Sequence, residues 1–180
     1  MAWPYPAPTD DGGADHLTAG TRLPDIVLSA TGGQKLSLAD IDGAFVVVIY
    51  PWTGRQGIAN PPGWDEIAGA HGSTPQLERL RDLRADFATR AIRIFALSTQ
   101  DTTWQAELAA RLSLPFPVIS DEHLTFADAL RLPRFQTGGL TLLKRLTLVC
   151  RDGAIERTIY PVHPPDEHAT ALLRLLDTGA

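Results

Sequence analysis

Apolar residues along this chain fall into short dense blocks separated by stretches of helical period. Phe45 to Tyr50 is a continuous apolar run rich in β-branched residues, and it reads as a buried parallel strand. It ends at Pro51, and a long loop bearing glycine and proline leads to Ser73-Thr74-Pro75-Gln76. There the period changes. Leu77, Leu80, Leu83, Phe87 and Ala88 recur at helical spacing, with Arg79, Arg81, Arg84 and Asp86 mostly between them on the wet side. Ser73 and Gln76 have the spacing of a capping box, and Pro75 suits a first turn.

The rest of the chain extends the alternation. Pro24 to Leu28 and Lys35 to Leu38 predict a hairpin about the Thr31-Gly32-Gly33-Gln34 turn, and Ala39 to Gly43 a short helical turn. Ala91 to Leu97 is the next strand. Ser98 to Asp101 closes it and caps a helix with Trp104, Leu108 and Leu112 on one face. Pro115 to Ile119 is a short strand, after which Asp121 caps a helix carrying Leu124, Ala127 and Leu130. Leu142 to Cys150 and Ala154 to Tyr160 pair through the turn Arg151-Asp152-Gly153. Pro164 to Glu167 opens a last helix with Ala169, Leu172, Leu173 and Leu176 inward. A hairpin followed by β, α, β, α, β, α, β, β, α predicts a three-layer α/β domain over residues 20–180. Residues 1–19 are rich in Pro, Asp and Gly and read as an extended arm, which Trp3 and Tyr5 anchor on the domain or on a partner subunit.

In an open α/β sheet, ligands bind beyond the carboxyl ends of the strands. The chemistry is therefore expected between Pro51 and Gln76, where the first-turn amides and the positive end of a helix dipole favour a thiolate or a bound anion.

Composition narrows the classes. The chain has 180 residues, 44% hydrophobic and 21% charged, which suits one globular domain. A formal charge of −5 argues against nucleic acid or an anionic membrane as partner. No apolar run approaches the ~20 residues of a transmembrane helix, and the N-terminus lacks the basic and apolar regions of a secretory signal. One cysteine excludes an internal disulfide, so the expected location is cytoplasmic. That residue, Cys150, lies in an apolar strand and reads as a buried, inert thiol. The histidines show no metal-ligand spacing, and no cofactor is expected.

Strand, loop, then Gly72-Ser73-Thr74-Pro75-Gln76 opening a helix resembles the active-site segment of peroxiredoxins, in the branch near bacterioferritin-comigratory protein. The resemblance runs from about Leu23 to the end of the chain. It implies a thioredoxin-like fold and thiol-dependent reduction of hydrogen peroxide or organic hydroperoxides, with a thiol reductant as partner. Thr74 and Gln76 match the family pattern, and Ser73 stands at the peroxidatic cysteine. Arg145, in Arg145-Leu146-Thr147-Leu148, matches the arginine that reaches that position and polarises peroxide. The positions seven and three residues before Ser73 hold Glu66 and Ala70, where the family has Pro and Thr. Pro51 and Thr53 lie earlier, separated from Ser73 by an insertion, roughly Gly54 to Gly69, and are expected to fold back onto the substrate site with Thr74 and Gln76. Glu78 stands where some relatives carry a resolving cysteine.

Ser73 is thus either a helix-capping serine or a peroxidatic position without its sulfur. In the second case the chain as it stands is not a peroxidase there, because a hydroxyl is far less acidic than a thiol and cannot cycle through a sulfenic acid. The crevice would then serve another small organic molecule. Trp52, Trp64 and His71 could form a pocket for a planar anion beside Arg145, Gly72 and the α-helical first turn, with His71 as a general base. A third possibility is a non-catalytic interaction module. The chain is expected to be a monomer or homodimer.

Overall fold

A computed structural model describes residues 2–179. Its centre is β3 (Ala44–Ile49), and the alternation of its side chains builds both layers of the core. Phe45, Val47 and Ile49 pack into one cluster, Val46, Val48 and Tyr50 into the other, and all six are fully buried. The second cluster takes the inner faces of α1 (Ser73–Asp82), α2 (Arg84–Thr89), α3 (Thr102–Leu112) and α5 (His168–Asp177). The first is closed by α4 (Thr125–Leu130) and by Ala14 and Leu17 from the N-terminal region.

The sheet has seven strands in the order β2-β1-β5-β4-β3-β8-β9. The edge hairpin is β1 (Val27–Ala30) and β2 (Gln34–Ser37), joined by a 3-10 turn. β4 (Ile92–Ser98) runs parallel to β3, and β5 (Val118–Ser120) parallel to β4. β8 (Leu146–Arg151) is antiparallel to β3 and to β9 (Ala154–Ile159). The central run is therefore parallel on one flank and antiparallel on the other, and burial on both faces makes it uniformly apolar.

Three expectations are corrected, and one element is new. The stretch from Leu142 to Cys150 is not one strand: it breaks at Lys144-Arg145 into β7 (Leu140–Leu143) and β8. β7 pairs with β6 (Arg134–Thr137) in a separate hairpin that the hydrophobic pattern did not reveal. The helix after Ser73 breaks at Leu83, whose ψ of 10° is not helical, and Ala88 beyond the break is exposed. The last helix begins at His168, after a turn at residues 164–167. Asp121 does cap α4, from three residues before the N-cap position, accepting from the amides of Phe126 (3.0 Å) and Ala127 (2.8 Å).

Cys150 has no exposed surface, and burial pushes its thiol pKa up to about 12, with nearby Glu156 adding to the effect. A thiol reagent should label the native chain at least about a hundredfold more slowly than the chain in denaturant, because only the accessible thiolate reacts. Comparable rates in the two states would place Cys150 within reach of solvent.

Candidate functional site

The topology brings together two residues far apart in sequence. β3 ends at Ile49, which is paired with Leu146, the first residue of the antiparallel β8. Arg145 therefore sits beyond the carboxyl end of β3, on the side where the chain returns as α1. Gly72 precedes that helix with φ of +107°, a left-handed conformation that glycine adopts without penalty. A Cβ there would also collide with Pro165 and with the Trp3 ring.

Arg145 and Ser73 are each only 3% exposed. The Arg145 Nη1 donates to Ser73 Oγ at 3.1 Å and to Gln76 Oε1 at 2.6 Å. Its Nη2 donates to the carbonyls of Gly69 (3.3 Å), Ala70 (3.1 Å) and His71 (3.1 Å). Arg145 Nε and Gln76 Nε2 are buried without a partner. Among the described residues no carboxylate lies within ion-pair distance of the guanidinium. Burial lowers its pKa to about 9, so it keeps its charge at neutral pH.

The capping box does not form. Gly72 holds the N-cap position, Ser73 is the first helical residue, and neither side chain caps an amide. Gln76 is engaged by Arg145 instead. Thr74 follows, part-buried, in the first turn.

The remaining expected site residues are occupied by other contacts. Pro51 is buried at the strand end. The Thr53 amide and Oγ1 both donate to Gln100 Oε1 at 3.0 Å. The Thr53 carbonyl accepts from Gln100 Nε2 at 3.0 Å and from Trp104 Nε1 at 2.9 Å. Thr53 is thereby clamped to the end of β4 and the start of α3, and its hydroxyl makes no bond to Ser73. Trp52 and Trp64 do not flank an open slot. They belong to one packed cluster with Ala70, Leu142, Ile67 and Phe135, with Trp64 only 6% exposed. His71 bonds Asp65 through Nε2 at 2.7 Å. The Tyr5 ring stacks on it with centroids 3.6 Å apart and planes 9° from parallel.

The cover over Ser73 comes from two directions. The end of the insertion wraps Arg145 with its carbonyls. The N-terminal arm lays Trp3 and Tyr5 over Gly72 and His71, and the Gly69 amide donates to Pro6 O at 3.1 Å. None of the four principal cavities is lined by Ser73, His71, Trp52 or Trp64. The largest, about 780 Å³, opens among Ala44, Arg157 and Leu176 at the opposite end of the sheet.

Sequence reading missed His168. It opens α5, is 5% exposed, and shares a 2.8 Å hydrogen bond with Thr147 Oγ1 on β8. Burial, and then the charge of Arg145, lower its pKa to about 4. No local motif marks it, because its partner lies on β8 and its perturbing charge just before that strand, both distant in sequence.

The mixed sheet flanked by helices is a thioredoxin-like fold of peroxiredoxin type, as the following comparisons establish. A model of the Redoxin family matches residues 18–173, and the chain belongs to that family. No curated protein matches it. Among solved structures it is similar to a cysteine-to-serine mutant of Xanthomonas campestris peroxiredoxin Q, at 20% identity and a TM-score of 0.70 over 89% of this chain and 98% of that one. Peroxidoxin BcpB of Mycobacterium tuberculosis is similar at 25% identity and a TM-score of 0.70, with 91% and 98% covered. A cysteine-to-serine mutant of Xylella fastidiosa PrxQ superimposes with a TM-score of 0.73 at 17% identity, again with 91% and 98% covered. The resemblance to peroxiredoxins seen in the sequence therefore holds for family and fold.

His168 carries a pH prediction. Its folded pKa lies below the ordinary 6.5, so on acidification the unfolded chain takes up a proton that the folded chain refuses. Stability present above pH 6.5 should fall as the pH drops toward 4, by up to about 3 kcal/mol from this residue. Urea denaturation of the unmodified chain and of His168→Gln at pH 7 and pH 4.5 tests it. The glutamine variant should lose less on acidification. Equal losses would show that His168 does not govern the window.

Proposed function

We propose that this chain uses a peroxiredoxin scaffold without thiol peroxidase chemistry, and that its site binds a small organic anion through Arg145. The observation that carries this reading is the buried guanidinium with no carboxylate beside it, facing the positive end of the α1 dipole. The family reaction is thiol-dependent reduction of hydrogen peroxide or organic hydroperoxides, and there the peroxidatic thiolate supplies the negative charge between arginine and helix. Ser73 cannot, since its hydroxyl stays protonated. It also offers no sulfur to accept an oxygen from peroxide and pass through a sulfenic acid. Cys150, buried in β8 with its pKa raised, is no substitute.

In this reading Arg145 recruits the anion, and Ser73, Gln76 and the amides after Gly72 set the polarity around it. Trp52, Trp64, Pro51 and Thr53 hold the wall by packing rather than by touching ligand. His71, bonded to Asp65 and covered by Tyr5, is a structural support and not a general base. The Ser73 side of the guanidinium is filled by protein, so a ligand reaches Arg145 from its other side or displaces the arm. The Redoxin family membership also supports a peroxide-reducing ancestor, with a thiol reductant as its partner. No helix among the described residues is long and apolar enough to cross a membrane, and we place the protein in the cytoplasm.

Two measurements test the proposal. The chain as it stands should consume no hydrogen peroxide above background, whereas Ser73→Cys should gain a thiol of lowered pKa that a sulfenate-trapping reagent detects by mass spectrometry. An introduced thiol no faster than a free one would show that the helix and Arg145 no longer form a peroxidatic environment. Calorimetry with a panel of small carboxylates, against chloride at equal ionic strength, should detect binding that weakens on Arg145→Ala by about 2–5 kcal/mol, the range for loss of one partner of a desolvated charge pair. Absence of binding below roughly millimolar, or equal binding by the variant, would remove the anion reading and leave an interaction module.

A further inference from the structure

Arg145 also forms part of the wall of a small, partly open cavity of about 120 Å³. Pro8, Thr9 and Asp11 of the N-terminal arm close one side of it. The arm precedes the Redoxin match at residue 18, so this wall belongs to the chain and not to the family segment. Pro8, Ala68, Phe135 and Pro161 make much of the lining apolar.

The charges in the lining do not cancel. Lys144 and Asp11 neutralise each other through a 2.6 Å ion pair. Both carboxylate oxygens of Asp11 are already used, Oδ2 by Lys144 and Oδ1 by Tyr160 at 2.7 Å and the Gly13 amide at 3.0 Å. These bonds hold the Asp11 carboxyl well below the usual carboxylate range, so it remains ionised and committed to Lys144. That leaves Arg145 as the uncompensated charge. Its two terminal nitrogens are spent on Ser73, Gln76 and the loop carbonyls, and its Nε has no partner.

We infer that this cavity binds a short-chain monocarboxylate of two to about four carbons. The carboxylate is attracted by Arg145, and the hydrocarbon end lies among the proline, alanine and phenylalanine walls. Size sets the upper limit, because an apolar cavity of roughly 150 Å³ is what benzene requires, and this one is smaller. The inference rests on the proposal that Arg145 recruits an anion, and adds where the anion sits and what class it belongs to.

The test is calorimetric titration with sodium propionate and sodium benzoate, against sodium chloride at matched ionic strength. It uses the full chain and two variants at one wall position, Phe135→Trp and Phe135→Ala, each first shown by circular dichroism to be folded. The full chain should bind propionate and reject benzoate, a comparison that needs no variant. Phe135→Trp should weaken propionate at least about tenfold by filling the space, and Phe135→Ala should admit benzoate. If benzoate binds the full chain as well as propionate does, or if neither variant changes the affinities, the anion sits elsewhere. The cavity assignment then falls while the role of Arg145 stands. If no carboxylate binds any of the three proteins, the anion reading falls and the cavity assignment with it.

Discussion

Much of this structure is arranged around a positive charge taken out of water. A buried guanidinium without an anion is costly unless its donors are satisfied, and the chain satisfies four of the five with uncharged oxygens. Three consecutive carbonyls, from Gly69 to His71, converge on Nη2, while Gln76 and Ser73 take Nη1. That convergence fixes the end of the long loop and hence the point at which α1 starts. It also accounts for the break between β7 and β8, since a residue continuing the strand ladder could not turn its side chain into this nest. Yet carbonyl dipoles solvate a charge without cancelling it, and the helix end beside it has the same sign. The arrangement is electrostatically incomplete in a specific sense, and in the proposed reading an anion completes it.

The sheet explains why the charge is here. Pairing β8 antiparallel to β3 makes the start of one strand coincide with the end of the other. A residue just before β8 is thereby delivered to the carboxyl edge of the parallel strands, where helix N-termini also gather. His168 enters from a third direction, bonded to Thr147 on the same strand, and is kept neutral by burial and by the arginine. The polar interior thus holds two hydrogen-bonded groups, Ser73-Gln76-Arg145 and Thr147-His168, coupled by the charge of Arg145 acting on His168.

The sequence made legible what depends on local period. The apolar run of β3, the edge hairpin, the α3 cap at Asp101 and the closing β8–β9 pair all follow from alternation or turn chemistry. Arg145 was found through the family pattern around it, not through periodicity. Where the reading failed, a distant partner had claimed a local group. Gln76 had the right spacing to cap Ser73, but a cation from β8 outcompetes a backbone amide for its oxygen. Thr53 could not be placed, because Gln100 and Trp104, about fifty residues away, decide its orientation. The break at Lys144-Arg145 lay hidden between two apolar blocks, and the β6–β7 hairpin was missed despite its Gly138-Gly139 turn because β6 carries a single apolar residue, Phe135. The seat of the arm was equally invisible: Trp3 and Tyr5 read as anchors, but nothing in their neighbourhood named Gly72 and His71 as the surface they cover.

The closure over Ser73 and the absence of a thiol there are physically consistent with each other. A peroxidatic sulfur has to meet a peroxide and then a reductant, so its helix end must stay open or open readily. Trp3 against Gly72 and Tyr5 flat on His71 would obstruct both encounters. In the proposed reading Ser73 has no such traffic, and covering it costs no turnover. The cover still leaves Arg145 charged, and the arm's Pro8, Thr9 and Asp11 line the small cavity that Arg145 also lines. The arm that covers Ser73 therefore also lines the cavity beside Arg145. Within the proposed reading, the exchange of sulfur for oxygen at position 73 and the path of the arm move the point of contact with a ligand from one side of a single arginine to the other.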